Sequence, residues 1–258
     1  MPAPTTELTL RSRSATELVD AAFQVFRKAP VHFIVAAAVV YVPWLVIQLA
    51  FNLSIQRDSI PGFDVLGANL VAGLIIYVIL GGAIAVLARD VYLERTPDVA
   101  AAYKVVGARI VSLVIVSFIM MISFAIGLVL LFVPVLYPLS TLFCARQAVV
   151  LEGLGPFRAI GRSAGLASGN RKHILGTLIL AGILTIAIAI GSGIAAGLVP
   201  STIVQRIIET VVGVCIRPFF SIVETLLYYD VRIRKEAFDI EYMAGGDSAA
   251  APSANVAI

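Results

Sequence analysis

Apolar residues in this chain run in long uninterrupted blocks rather than alternating with polar ones, the pattern of helices that cross a bilayer. A helix needs about 20 predominantly apolar residues to traverse the hydrocarbon core. Blocks of that kind occupy residues 31–53, 65–88, 110–133, 135–151, 174–199 and 207–229, which predicts six spanning helices, the fourth of them short. The third and fourth blocks merge into residues 110–145, a run of 36 without one charged side chain. That run is too long for one crossing and barely enough for two, so the chain is expected to turn tightly near Pro134 and Pro138. The short return arm would then carry Arg146 below the membrane surface.

Composition agrees. Hydrophobic residues make up 60% of the chain and charged residues 14%, and the mean hydropathy is +0.98. A soluble domain of 258 residues could not cover itself with so little polar surface. The formal net charge is only +3, but its distribution is informative. Counted outside the blocks, Lys and Arg number 4, 1, 4, 0, 4, 1 and 3 along the chain. They are Arg11, Arg13, Arg27 and Lys28; Arg57; Arg89, Arg95, Lys104 and Arg109; none; Arg158, Arg162, Arg171 and Lys172; Arg206; and Arg232, Arg234 and Lys235. The positive-inside rule places both termini and the two long basic connections in the cytoplasm, as expected of a multi-pass protein of a bacterial cytoplasmic membrane. The first apolar run exceeds a signal-peptide core and the first 30 residues carry both acids and bases, so a permanent first span is expected rather than a cleavable signal. The fold expected is all-α: one six-span membrane domain over residues 14–241, with a flexible arm at 1–13 and a disordered Ala/Gly/Ser-rich tail at 242–258.

Each odd-numbered span follows a short amphipathic segment. Ser14-Ala-Thr-Glu17 reads as a capping box, and Leu18, Ala22, Val25 and Phe26 then share a face away from Glu17, Asp20, Gln24, Arg27 and Lys28. The second segment opens at Thr96-Pro97-Asp98, with Pro97 suited to a first turn, and presents Val99, Ala102, Tyr103 and Val106. The third opens at Gly155-Pro156 and presents Phe157, Ile160 and Ala164. An interfacial helix, a span in and a span back would thus occur three times. Helices of this kind lie in the headgroup plane. The bases beside them are candidate contacts for anionic headgroups: Arg27, Lys28, Lys104, Arg158, Arg162, Arg171 and Lys172, with Arg232, Arg234 and Lys235 at the exit of the last span. Retention for topology alone explains the same bases equally well.

Three ionisable residues fall inside the apolar blocks. Arg146 lies six residues before Glu152, and Glu224 six before Asp230. Six helical residues rise about 9 Å, so the two should sit at similar depth and approach each other between the fourth and sixth spans. Arg217 precedes Pro218, which removes a backbone donor and could leave a carbonyl to receive the guanidinium. Charges at such depth face a bundle interior or a wet cavity; the trio could serve an ion path, an anionic-lipid site or a clamp between helices. Thr185, Ala189, Gly193 and Gly197 recur every four residues, a small-residue face that allows close helix packing within the molecule.

Enzymatic signatures are missing. The chain has no phosphate-binding Gly-x-x-x-x-Gly-Lys loop, no His-Glu-x-x-His and no Gly-x-Ser-x-Gly. Its histidines, His32 and His173, and its cysteines, Cys144 and Cys215, are each far apart in sequence. No catalytic residue, cofactor, metal site or nucleic-acid partner is expected.

Two segments are more distinctive: Leu226-Leu-Tyr-Tyr-Asp-Val-Arg-Ile-Arg-Lys-Glu-Ala-Phe-Asp-Ile-Glu241 and Leu151-Glu-Gly-Leu-Gly-Pro-Phe-Arg-Ala-Ile-Gly-Arg-Ser163. With the span layout, they resemble bacterial proteins related to the membrane domain of glycerophosphoryl diester phosphodiesterase. The resemblance covers the membrane module, and six spans leave no room for a catalytic barrel. It implies a stand-alone module linked to envelope lipids. The function expected is therefore a non-enzymatic, lipid-associated or scaffolding membrane module with anionic lipids, and an unidentified protein, as partners. The alternative is a small transporter or channel that uses Arg146, Arg217 and Glu224.

Overall fold

A computed structural model describes residues 12–55, 63–130 and 135–236. The arm up to residue 11, the connection carrying Arg57, the turn at Pro134 and the segment from residue 237 through the expected disordered tail lie outside the described residues. Those described form ten helices and no strand: α1 (Ala15–Lys28), α2 (Pro30–Ile55), α3 (Phe63–Tyr92), α4 (Val99–Ala108), α5 (Ile110–Val129), α6 (Leu136–Thr141), α7 (Ala145–Glu152), α8 (Pro156–Ala167), α9 (Arg171–Gly197) and α10 (Thr202–Glu236).

Local chemistry starts the three short helices. Ser14 and Glu17 form the capping box, with the Glu17 amide donating to Ser14 Oγ at 3.3 Å and the Ser14 amide to the Glu17 carboxylate at 2.8 Å. Arg27 and Lys28 occupy the last turn of α1, where they complement the helix dipole. Helix α4 starts two residues later than a first-turn Pro97 implies. Asp98 is its N-cap, accepting from the amides of Ala100 and Ala101 at 2.8 and 3.2 Å, and Pro97 stands outside the helix. Helix α8 has Pro156 in its first turn. It buries Ala159, Ser163, Leu166 and Ala167 within the bundle, while Phe157 faces outward and is 76% exposed.

The chain thus repeats short helix, long helix and return arm, as α1–α2–α3, α4–α5–α6/α7 and α8–α9–α10. Each short helix packs on the return arm of another unit in cyclic order: α4 on α3, α8 on α7, and α1 on α10. The return arms α3 and α10 are 72% and 61% buried over their apolar windows, whereas α2, α5 and α9 are only 22%, 28% and 22% buried. The outer helices carry long apolar stripes, such as Val31, Val35, Val39, Val42 and Val46 on α2 or Ile179, Ile183, Ile186, Ile190 and Ile194 on α9. Stripes of that extent are compatible with hydrocarbon and not with water.

Among the described residues, five helices are long and apolar enough to cross a membrane. The expected fourth span is not one of them. It is broken into α6 and α7, which rise only about 9 and 12 Å. The reason lies in α8, whose Ser163 enters the break. Its hydroxyl donates to the Thr141 carbonyl at 2.6 Å and accepts from the Cys144 amide at 3.3 Å, supplying partners that an unbroken helix would have supplied itself. The Arg171 guanidinium also lies 4.7 Å from the Tyr137 ring centroid. An unbroken crossing would have put these two residues at opposite ends of the bundle.

The broken arm nevertheless returns the chain to the level where α5 began. Arg109, between α4 and α5, donates to the carbonyls of Val149 and Val150 at 2.8 and 2.5 Å. Gly153 closes α7 in a left-handed conformation with φ of 75°, and Arg109 lies 3.0 Å from where its Cβ would stand, so glycine serves both the turn and the contact. The ends of the described chain also meet, since the Arg13 amide donates to Asp230 at 2.6 Å. Replacing Ser163 with Ala should strand two buried backbone groups and destabilise the fold by about 1–3 kcal/mol. A lowered thermal unfolding midpoint of the S163A protein in detergent is the expected result.

Candidate functional site

The return arms converge on one buried ion pair. Arg146 lies in the first turn of α7 and Glu224 in α10; they are 2% and 5% exposed. Arg146 Nη2 donates to Glu224 Oε2, so the two residues expected at equal depth do meet. The rest of the shell comes from α3 and α10. Arg146 also reaches the Tyr77 carbonyl at 3.3 Å and Ser221 Oγ at 3.4 Å, and its guanidinium lies 4.3 Å from the Tyr77 ring centroid. Ser221 in turn donates to the Gly81 carbonyl at 3.2 Å. A Cβ at Gly81 would overlap the guanidinium, so the Gly81-Gly82 pair in α3 is the one mark of this close approach that the sequence carries. Arg146 Nε and the side-chain amide of buried Gln147 have no hydrogen-bond partner among the described residues.

Arg217 is placed differently from the sequence expectation. Pro218 lies inside α10, but Arg217 does not fold back on the carbonyl that this proline leaves free. It is exposed and lines a half-open cavity of about 450 Å³ between α2, α3, α7, α9 and α10, with Arg146 and Glu224 on the same lining. Arg217 has no ion pair or hydrogen bond with the described residues; Tyr41 lines the same cavity. The small-residue face of α9 borders this space instead of packing a helix. Thr185 and Ala189 line the cavity, and added Cβ atoms at Gly193 and Gly197 would meet nothing.

The candidate headgroup bases divide into two groups. Arg162 is bound to Glu152 at 2.9 and 3.1 Å and to Glu236 at 2.8 Å. Hydrogen bonding to Glu236 raises its already high pKa against the opposing effect of burial. Arg232 bonds Glu236 at 3.3 Å and the Tyr228 hydroxyl at 3.2 Å, and that hydroxyl donates to Glu152. The two distinctive sequence segments are therefore locked together by one polar network. Arg234 bonds Asp230 at 2.7 Å and the Arg13 carbonyl at 2.6 Å, and Lys235 donates to the Gly165 carbonyl. Asp230 also holds His173 Nε2 at 2.8 Å. These four bases bind the protein itself. Lys28 lies 3.9 Å from Glu94 and Arg171 covers Tyr137. Arg27, Lys104, Arg158 and Lys172 are exposed and have no ionic partner among the described residues. Cys144 is buried beside Ser163 and Cys215 is exposed, both as free thiols.

Fold, apolar periphery and buried ion pair together define a multi-pass, all-α helical membrane protein. Comparison with protein-family models, curated proteins and solved structures finds no match in any of the three.

A buried pair punishes the loss of one partner more than the loss of both. Arg146→Met and Glu224→Leu should each lower stability by about 3–5 kcal/mol, and the double variant should recover most of that loss. Unfolding midpoints of the four proteins in one detergent measure the coupling; additive losses would mean that the two side chains act independently.

Proposed function

We propose that the protein is a non-enzymatic, lipid-associated module of a bacterial cytoplasmic membrane, with both termini cytoplasmic, that holds an anionic amphiphile in the cavity beside Arg217. The supporting observation is an exposed guanidinium without an ionic partner among the described residues, placed along an apolar helix at the edge of a mainly apolar space. A charge in that setting calls for a counter-ion. Ile76, Leu80, Ile186 and Phe220 offer the hydrocarbon wall, and Arg217 offers paired donors suited to a phosphate or carboxylate. A cavity of about 450 Å³ is of the size that small ligands occupy. Arg27, Lys104, Arg158 and Lys172 remain available for anionic headgroups at the surface. The resemblance to the membrane domain of glycerophosphoryl diester phosphodiesterase is in keeping with a role at envelope lipids.

Native mass spectrometry of the purified protein tests this reading. Anionic phospholipid should be retained by the wild type, and its retention should fall about ten- to a hundredfold in Arg217→Gln, the loss of one charged hydrogen-bonding group. Zwitterionic lipid should be unaffected. Because Arg217 is exposed, the variant is expected to keep its unfolding midpoint. Equal retention of anionic lipid by both proteins would remove the support for this site.

A further inference from the structure

A second cavity, of about 410 Å³, lies among α3, α5, α6, α9 and α10. It shares Tyr77, Phe220 and Glu224 with the first, so these three side chains stand between the two spaces. The division sorts charge. Arg146 and Arg217 line the first cavity and not the second, whereas among the described residues Glu224 is the sole carboxylate or base on the lining of the second. Apart from Ser117, its remaining walls are the aromatic rings of Tyr77, Phe124, Phe143 and Phe220, the thioethers of Met120 and Met121, and three leucines. Aromatic faces present negative potential and attract cations, most strongly where water is excluded. Ser117 adds a further requirement. It lines this cavity, is 3% exposed, and its hydroxyl has no hydrogen-bond partner among the described residues. A buried hydroxyl without a partner is unfavourable, and a hydrocarbon occupant would leave it so. A protonated amine would donate to it.

We propose that the second cavity binds a lipophilic monocation, an organic ammonium whose N–H groups face Ser117 and Glu224 and whose apolar body lies against Phe124, Phe143 and Phe220. Each element of the site selects for that class. The carboxylate and aromatic faces reject anions, the buried hydroxyl disfavours pure hydrocarbon, and the volume admits a body of drug-like size. The site does not depend on Arg217, so it stands or falls separately from the anionic-amphiphile reading.

The test uses the full chain in nanodiscs of zwitterionic lipid, with monodansylcadaverine as the cationic probe and its uncharged N-butyl dansylamide analogue as the control. Saturable fluorescence enhancement above empty nanodiscs is expected for the cation and not for the neutral analogue. Glu224→Gln alone would leave Arg146 unpaired and could unfold the protein, so the carboxylate is removed in the double variant Arg146→Met/Glu224→Gln. The apparent Kd for the cation should rise at least tenfold in that double variant, two- to fivefold in Ser117→Ala, and not at all in Arg217→Gln. Saturable binding of the neutral analogue with equal affinity, an unchanged Kd in the double variant, or no saturable cation binding by the wild type would each overturn the proposal.

Discussion

Hydrocarbon supplies no hydrogen bonds, so every interruption of a helix at membrane depth must be repaired by the protein itself. The break between α6 and α7 is where this constraint shapes the molecule. Ser163 from α8 serves the Thr141 carbonyl and the Cys144 amide together, which allows a new helix to begin at Ala145 in the middle of the bundle. Arg146 consequently lies in the first turn of α7, where the positive end of the helix dipole makes a cation unfavourable. Glu224 answers both that dipole and the desolvation of the guanidinium. Ion pair, helix break and α8 docking are parts of one arrangement.

Around that centre the three units are disposed alike. Outgoing helices α2, α5 and α9 face outward with apolar stripes, and the return arms are the buried ones. Each short helix covers the return arm of another unit, so the cycle closes only when α1 reaches α10. The Asp230 cluster, which joins Arg13, His173 and Arg234, sits at that closure. A polar network at one end and an ion pair in the middle give the bundle registration, since apolar packing in lipid discriminates poorly among alternative arrangements.

The buried pair also divides the interior. Its two members do not share both cavities: the guanidinium borders one and the carboxylate borders both. Arg217 strengthens the positive side, while Tyr77 and Phe220 form the remainder of the partition. Two half-enclosed spaces of opposite electrostatic preference thus lie on either side of three side chains, and the chemistry proposed for each follows from that asymmetry.

Hydropathy determined the membrane class and the positions of five long helices, capping and amphipathic spacing the three short helices, and distance from Glu152 and Asp230 the common depth of Arg146 and Glu224. The physical reason is that burial in hydrocarbon depends on length and composition, which a linear sequence displays directly. Tertiary structure decided the rest. The interruption at residues 142–144 depends on a serine that arrives from α8, and nothing in the run 110–145 marks it. The pairing of Arg162, Arg232, Arg234 and Lys235 within the protein, the outward position of Phe157 and the exposed setting of Arg217 likewise depend on which faces meet. Where lipid-facing and protein-facing surfaces are equally apolar, the sequence carries depth but not direction, and only packing assigns the second.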